Sequence, residues 1–297
     1  MARDTVPLRI WAMAARPRTL PAAIAPVLVG TALAGSEDTF RPLAFCAALL
    51  GSVFIQIGTN LSNDYSDARR GADTEERLGP VRVTAGGLVP PRKVLVATWL
   101  AFGLAVAAGA YLIALVGWEL LAIGAASILA GVLYTGGPRP YGYEGLGEVF
   151  VFTFFGIVAV VGSYYVQTEE LRGLAFALGV PVGLLAAAIL MVNNIRDIDT
   201  DRRAGKRTLA VRLGRRRAIA LFGATLWLAF GWTLGVAIAE GEPWLVLPLL
   251  TLPLVVPLQR TVATRTDGPA LNGALARTGM LLAVFSVVLS ASLLLSG

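Results

Sequence analysis

Residues 173–193 read GLAFALGVPVGLLAAAILMVN, an apolar run without one charged side chain, and residues 194–208 that follow read NIRDIDTDRRAGKRT. A run of about 20 apolar residues is long enough to cross the roughly 30 Å hydrocarbon layer of a bilayer as a helix. The run is not isolated. Of the 297 residues, 56% are hydrophobic and 15% charged, with mean hydropathy +0.70. A soluble domain is about 45–50% apolar and about 25% charged. The expected fold is all-α, a polytopic membrane helical bundle. Apolar runs predict about nine transmembrane helices, at 20–35, 42–61, 94–116, 119–134, 148–166, 173–193, 218–238, 243–258 and 274–296. Pro and Gly inside several of them are tolerable where neighbouring helices re-satisfy the backbone. Residues 1–297 are expected to form a single transmembrane domain with two Asp-rich loops, 60–93 and 193–217.

On that map 23 of the 25 Lys and Arg fall on one side of the membrane, and only Arg41 and Arg172 on the other. The positive-inside rule then places the N-terminus and the Asp-rich loops in the cytoplasm of a cell membrane, with the C-terminus outside. Attraction to acidic headgroups accounts for the pI near 9.9 without nucleic acid. Arg3, Arg9, Arg16 and Arg18 precede a first apolar run too long for the core of a cleaved signal peptide. The one cysteine, Cys46, is expected as a small buried hydrophobe. The absence of His excludes His-ligated haem, His-rich zinc sites and imidazole catalysis. Polar chemistry must rest on Asp, Glu, Asn, Tyr, Lys and Arg.

Acidic side chains cost about 2.5–3.5 kcal/mol each at the centre of a membrane helix, and here they gather at the cytoplasmic ends of two spans. One segment carries Asn60, Asn63, Asp64, Asp67, Arg69, Arg70 and Asp73; the other Asn193, Asn194, Arg196, Asp197, Asp199, Asp201, Lys206 and Arg207. If the helices continue beyond the membrane edge, Asn60, Asn63, Asp64 and Asp67 share one face, and Asn193 or Asn194, Asp197 and Asp201 form the matching stripe. Asp199 points elsewhere and is not expected as a ligand. Facing carboxylate stripes need a counter-charge. All-oxygen donors favour Mg²⁺ or Mn²⁺ over zinc or copper, and Mg²⁺ takes one or two carboxylates plus substrate phosphates. The implied ligand is therefore a phosphorylated substrate bridged by metal, with Arg69, Arg70, Arg196, Lys206 and Arg207 available to phosphate oxygens. An offset of 133 superposes Asn60 on Asn193, Asp64 on Asp197, Arg69 on Arg202 and Arg70 on Arg203, a faint internal repeat.

Three further segments belong to this reading. Tyr134 to Glu148 is rich in Gly and Pro, with Arg139 its only cation, so backbone can approach a ligand closely while Tyr134, Tyr143 and Arg139 reach a diphosphate. Gly79 to Gly87, containing Arg82, is expected as a lid, and Arg16-Pro17-Arg18-Thr19 either faces the site or anchors the first span. Phe152, Phe154, Phe155, Tyr164 and Tyr165 either pack or line a tunnel and shield a cation.

Together these residues resemble the UbiA superfamily of intramembrane prenyltransferases over nearly the whole chain. Asn63, Asp67 and Asp73 match the first family motif in the spacing of its naphthoate branch, and the benzoate branch would place its last Asp where Gly71 stands. Asp197, Asp201, Gly205 and Thr208 match the second motif. Arg16 to Pro21 and Tyr134-Thr-Gly-Gly-Pro138 also resemble the naphthoate branch. The resemblance implies a nine-helix bundle around a central cavity that opens to the cytoplasm and to lipid. It implies that Mg²⁺ and a polyprenyl diphosphate are bound by Asn63, Asp67, Asp73, Asp197 and Asp201, with Asp64 a further candidate and Asp67, Asp197 and Asp201 central to catalysis. The substrate-binding set is expected to be Asn60, Arg69, Arg82, Tyr134, Arg139, Tyr143, Asn193, Asn194, Arg196 and Lys206. The implied acceptor is 1,4-dihydroxy-2-naphthoate, prenylated with loss of CO₂ to give demethylmenaquinone. Two rival classes fit less well: a secondary transporter would carry its carboxylates near the bilayer midplane, and a lipid phosphotransferase would show an Asp-Gly-rich signature that is absent.

Overall fold

Proline opens four of the long helices, at Pro21, Pro42, Pro91 and Pro243. At a first helical position its fixed φ suits the helix, and its missing N–H would have had no partner there. The computed structural model describes residues 6–72 and 78–297; Asp73, expected as a ligand, lies outside them. The helices are α1 Leu8–Ala15, α2 Pro21–Gly35, α3 Pro42–Arg69, α4 Pro91–Val116, α5 Glu119–Leu133, α6 Gly147–Thr168, α7 Gly173–Arg196, α8 Arg215–Glu240, α9 Pro243–Thr264 and α10 Gly268–Ser296, with two short helices, Ile198–Arg203 and Leu209–Leu213, between α7 and α8. No strand occurs among the described residues.

The chain is a multi-pass membrane protein. Among the described residues seven helices (α3, α4 and α6–α10) are long and apolar enough to cross a bilayer. The segment from Leu8 to Thr19 and α2, bent by 55° at their junction, make an eighth if they act as one span. Each of the nine apolar runs is helical, but the count by length is seven or eight: α5 has 15 residues, about 22 Å of rise. Helix α3 runs eight residues beyond the expected end at 61. Its 28 residues rise about 42 Å, so its last turns project past a 30 Å core and carry the acidic stripe out of the hydrocarbon. Cys46, expected buried, is exposed on an apolar helix.

Helices pack in a closed series: α3 on α4 and α5, α2 on α3, α6 and α10, α6 on α7, α7 on α8 and α10, and α8 and α10 on α9. Helix α7 is central, with 72% of its apolar window buried. Two local features let α6 and α8 seat against it. Residues Phe152–Val158 of α6 widen into π geometry, and a Cβ on Gly156 would stand 2.5 Å from Gly183 Cα, so only glycine permits this backbone approach. Pro181 lacks the N–H that would bond the Ala177 carbonyl. The Trp232 indole of α8 donates to that carbonyl instead, at 2.9 Å.

Candidate active site

Residues of α3 that face inward fall at Ala48, Gly51, Ser52, Ile55, Gln56, Thr59, Asn60, Asn63 and Asp67, a single helical stripe. It rises about 28 Å and changes from apolar to acidic on the way. This stripe is one wall of a cavity of about 760 Å³ enclosed with α4–α7, a volume suited to a small-molecule ligand. Ile113, Leu121 and Ile128 line the apolar body; Asn193, Asn194, Asp197, Asp201 and Lys206 join Asp67 at the polar end. Two acidic clusters 130 residues apart in the chain therefore share one cavity.

Asp67 is 1% exposed and is held by three donors from three loops. Arg82 Nη2 lies 3.0 Å and Lys206 Nζ 3.1 Å from its Oδ2, and the Tyr143 hydroxyl donates to Oδ1 at 2.7 Å. A carboxylate removed from water needs this degree of compensation. The Lys206 ammonium also lies 4.8 Å from the centre of the Tyr143 ring, a cation–π contact. The second motif's spacing builds this arrangement. The Lys206 N–H bonds the Asp201 carbonyl at 2.8 Å, Gly205 takes φ +74°, and Thr208 caps the next helix through Val211 N–H. The Arg207 N–H then ties the turn to the Tyr143 carbonyl at 2.8 Å.

Asp64 has a different position from that expected. It is buried, but both oxygens accept backbone N–H groups of the 79–89 segment, Val83 at 3.0 Å and Thr84 at 2.8 Å, and it does not line the cavity. Its neighbour on the stripe, Asn63, does line it and accepts from Thr135 at 2.9 Å. Arg82 thus reaches Asp67 from a segment that Asp64 anchors. Asn60 lines the cavity and donates to the Ala15 carbonyl and to Thr19, which brings the Arg16–Thr19 turn to the site.

Among the cations, Arg196 departs most from expectation. It is 2% exposed and absent from the cavity lining. Its Nε lies 2.8 Å from Asp197 Oδ1, a second nitrogen meets Oδ2, and the guanidinium also donates to Asn193 and Asn272 Oδ1. It therefore orients Asp197 rather than facing a ligand. Arg69 is exposed beside Tyr65, and Arg139 is exposed and away from the cavity. Arg70 donates to the Thr135 and Gly137 carbonyls. Asp199 is exposed, away from the cavity, as the helical register predicts.

Of the five aromatics singled out, Phe154 and Phe155 line the cavity. Phe152 packs against Gly183, Tyr164 is buried and bonds Glu37, and Tyr165 packs with the Leu112 cluster. Phe150 and Tyr141 line it too, stacked with ring centres 3.9 Å apart. Burial raises the Tyr141 phenol above its ordinary value, so it stays a neutral donor, bonded to the Ala130 carbonyl at 2.8 Å. Gln56 was legible as a further member of the α3 stripe, and Glu148 as a carboxylate at the start of an apolar run; Phe150 carried no signal beyond apolarity.

Among the described residues no three Asp, Glu, His or Cys side chains stand together closely enough to hold an ion alone. Asn63, Asp67, Asp197 and Asp201 nevertheless present only oxygen or amide donors to one cavity. That set fits Mg²⁺ arriving with a phosphorylated ligand, since the ion then needs one or two carboxylates from protein.

Residues 23–281 match the UbiA prenyltransferase family. The chain is 41% identical over 286 residues to the 1,4-dihydroxy-2-naphthoate octaprenyltransferase of Mycobacterium tuberculosis, covering 95% of this chain and 96% of that one. It is 39% identical over 279 residues to the Escherichia coli protein of the same name, covering 90% and 89%. A solved structure, a UbiA homolog from Archaeoglobus fulgidus bound to DMAPP and Mg²⁺, superposes with TM-score 0.69 at 15% identity over 95% of this chain and 98% of that one.

Proposed function

The chain belongs to the UbiA prenyltransferase family, and from that membership we propose that it transfers a polyprenyl group from a polyprenyl diphosphate to 1,4-dihydroxy-2-naphthoate in menaquinone biosynthesis. The supporting observation is a cavity with an acidic pole and a long apolar body, alongside relatives of that name at 34–41% identity. Asn63, Asp67, Asp197 and Asp201 are the residues that would hold Mg²⁺ and the diphosphate. Bound there, Mg²⁺ would offset charge developing on the leaving diphosphate.

This chain's own residues do the rest. Arg82 and Lys206, both on Asp67, supply further positive charge to diphosphate oxygens, where stabilisation of the transition state raises the rate. The allylic C–O bond breaks with its electron pair going to diphosphate. The aromatic rings of Phe150, Phe154 and Tyr141 line the cavity where they can shield the resulting cation, and the enclosed apolar wall excludes water that would capture it. The ring carbon bearing the carboxylate attacks. Its bond to the carboxylate then breaks, the pair returns to the ring, and CO₂ leaves. The product is the reduced form of demethylmenaquinone, and no oxidant is consumed. The segregation of 23 of 25 cations supports a site opening to the cytoplasm of the cell membrane.

Purified protein given Mg²⁺, 1,4-dihydroxy-2-naphthoate and a prenyl diphosphate should yield the prenylated, decarboxylated lipid by mass spectrometry. Asp67→Ala and Asp197→Ala should each lower turnover by about 10²–10³-fold, the scale of losing a principal electrostatic stabiliser. Unimpaired turnover in either folded variant would refute the proposal.

A further inference from the structure

One buried carboxylate, hydrogen-bonded to a residue of the cavity wall, is not used by this mechanism. Glu148, the second residue of α6, is 5% exposed. Its Oε1 accepts the amide of Asn194 at 2.9 Å. Its Oε2 is buried and takes no hydrogen bond from any described residue. A half-satisfied buried carboxylate costs stability, so packing alone is a poor reason for it. Asn194 is on α7, one turn before Asp197, and it lines the cavity. Glu148 lies two residues before Phe150 of the aromatic wall. The pair ties the start of α6 to the cytoplasmic end of α7, beside the acidic pole.

The polarity of the pair is determined by chemistry. Asn194 turns its NH₂ to Glu148 Oε1, the orientation that an ionised carboxylate, which only accepts, requires. Its carbonyl oxygen is left on the other side of the amide, on a residue that lines the cavity. An acceptor on the cavity wall is matched to a donor. Of the two substrates proposed above, the prenyl diphosphate has no O–H when ionised, whereas the naphthoate carries two ring hydroxyls.

We infer that Glu148 is a positioning residue: by taking the Asn194 amide it presents the Asn194 carbonyl oxygen to a hydroxyl of the aromatic acceptor. This rests on the proposed function and adds where the acceptor is held. Glu148→Leu leaves the amide free to turn, and Asn194→Ala removes the acceptor.

The test is steady-state kinetics with each substrate varied. Glu148→Leu and Asn194→Ala should each raise KM for 1,4-dihydroxy-2-naphthoate about tenfold, the scale of one hydrogen bond. KM for the prenyl diphosphate and the Mg²⁺ half-saturation should not move. The double variant should be no worse than either single one, since both remove one interaction. Glu148→Gln, which keeps an oxygen for the Asn194 amide, should recover most of the loss. An unchanged acceptor KM in Asn194→Ala would overturn the inference. So would a rise confined to prenyl diphosphate or Mg²⁺, which would make Asn194 part of the diphosphate pole. If Glu148→Leu does not fold, Asn194→Ala decides on the same criteria. Wild-type protein inactive on naphthoate would instead refute the proposed function itself.

Discussion

Asp64 and Asp67 are three residues apart on one helix, equally buried, and differ in what they hold. Asp67 collects side-chain donors inside the cavity, whereas Asp64 collects backbone donors of the segment behind it. Asp64→Ala should leave two buried N–H groups unpaired and cost about 2 kcal/mol or more, read as a lower unfolding midpoint. Its Mg²⁺ half-saturation should stay at the wild-type value. A large change in metal requirement, with stability intact, would place Asp64 among the ligands after all. Arg196 makes a similar point. Its position beside Asp197 suggests a phosphate ligand, yet its burial and its three partners make it the group that holds Asp197 in place.

At the scale of elements, helix ends and helix contacts decide where the side chains arrive. The turn from Asp201 to Thr208 depends on Gly205 in the left-handed region and delivers Lys206 to Asp67. On the other side of the cavity, α6 can approach α7 only because Gly156 and Gly183 lack side chains: a Cβ on Gly183 would stand 2.7 Å from the Phe152 carbonyl oxygen. Gly183→Val should push α6 outward, costing about 1–3 kcal/mol and displacing Phe150 and Phe154. The checks are thermal stability and activity of the purified protein. Between α7 and α8, Trp232→Phe should strand the Ala177 carbonyl that Pro181 already deprives of its helical partner. A loss of about 1 kcal/mol is expected, again read from thermal unfolding, with the catalytic constants unaltered.

At the scale of the whole molecule, one side of the bundle carries the charge and the site. Topology can be read chemically because Cys46 is the only cysteine. On a Cys46→Ser background, Glu170→Cys should react with an impermeant maleimide in intact cells, and Arg139→Cys only after lysis. The reverse pattern would invert the proposed orientation. The internal repeat also becomes clearer at this scale. The offset of 133 pairs Asp64 with Asp197, which do different things. The cavity-lining residues are related by 134: Asn60 with Asn194, Asn63 with Asp197, and Asp67 with Asp201. The two clusters are thus counterparts in position, one on α3 and one at the end of α7.

Composition, the apolar runs, the one-sided cations and the two acidic motifs are local properties, written directly in residue order. They determined without further help that the chain is a helical membrane protein with its polar chemistry at the ends of two spans. Among the described residues the length criterion singles out seven or eight helices rather than nine in part because α5, at 15 residues, is shorter than a perpendicular crossing of the hydrocarbon layer needs. Which acidic or basic side chain faces the cavity was a different question. Asp64, Arg69, Arg139 and Arg196 have the same composition signal as Asp67, Arg82 and Lys206, and they differ only in the neighbours supplied by other helices and loops. Helical periodicity places a residue on a face about 100° wide. That is too coarse to separate Asn63, which lines the cavity, from Asp64 beside it, which turns to the 79–89 segment. Tertiary packing alone decided that choice, because a buried carboxylate goes where its donors are.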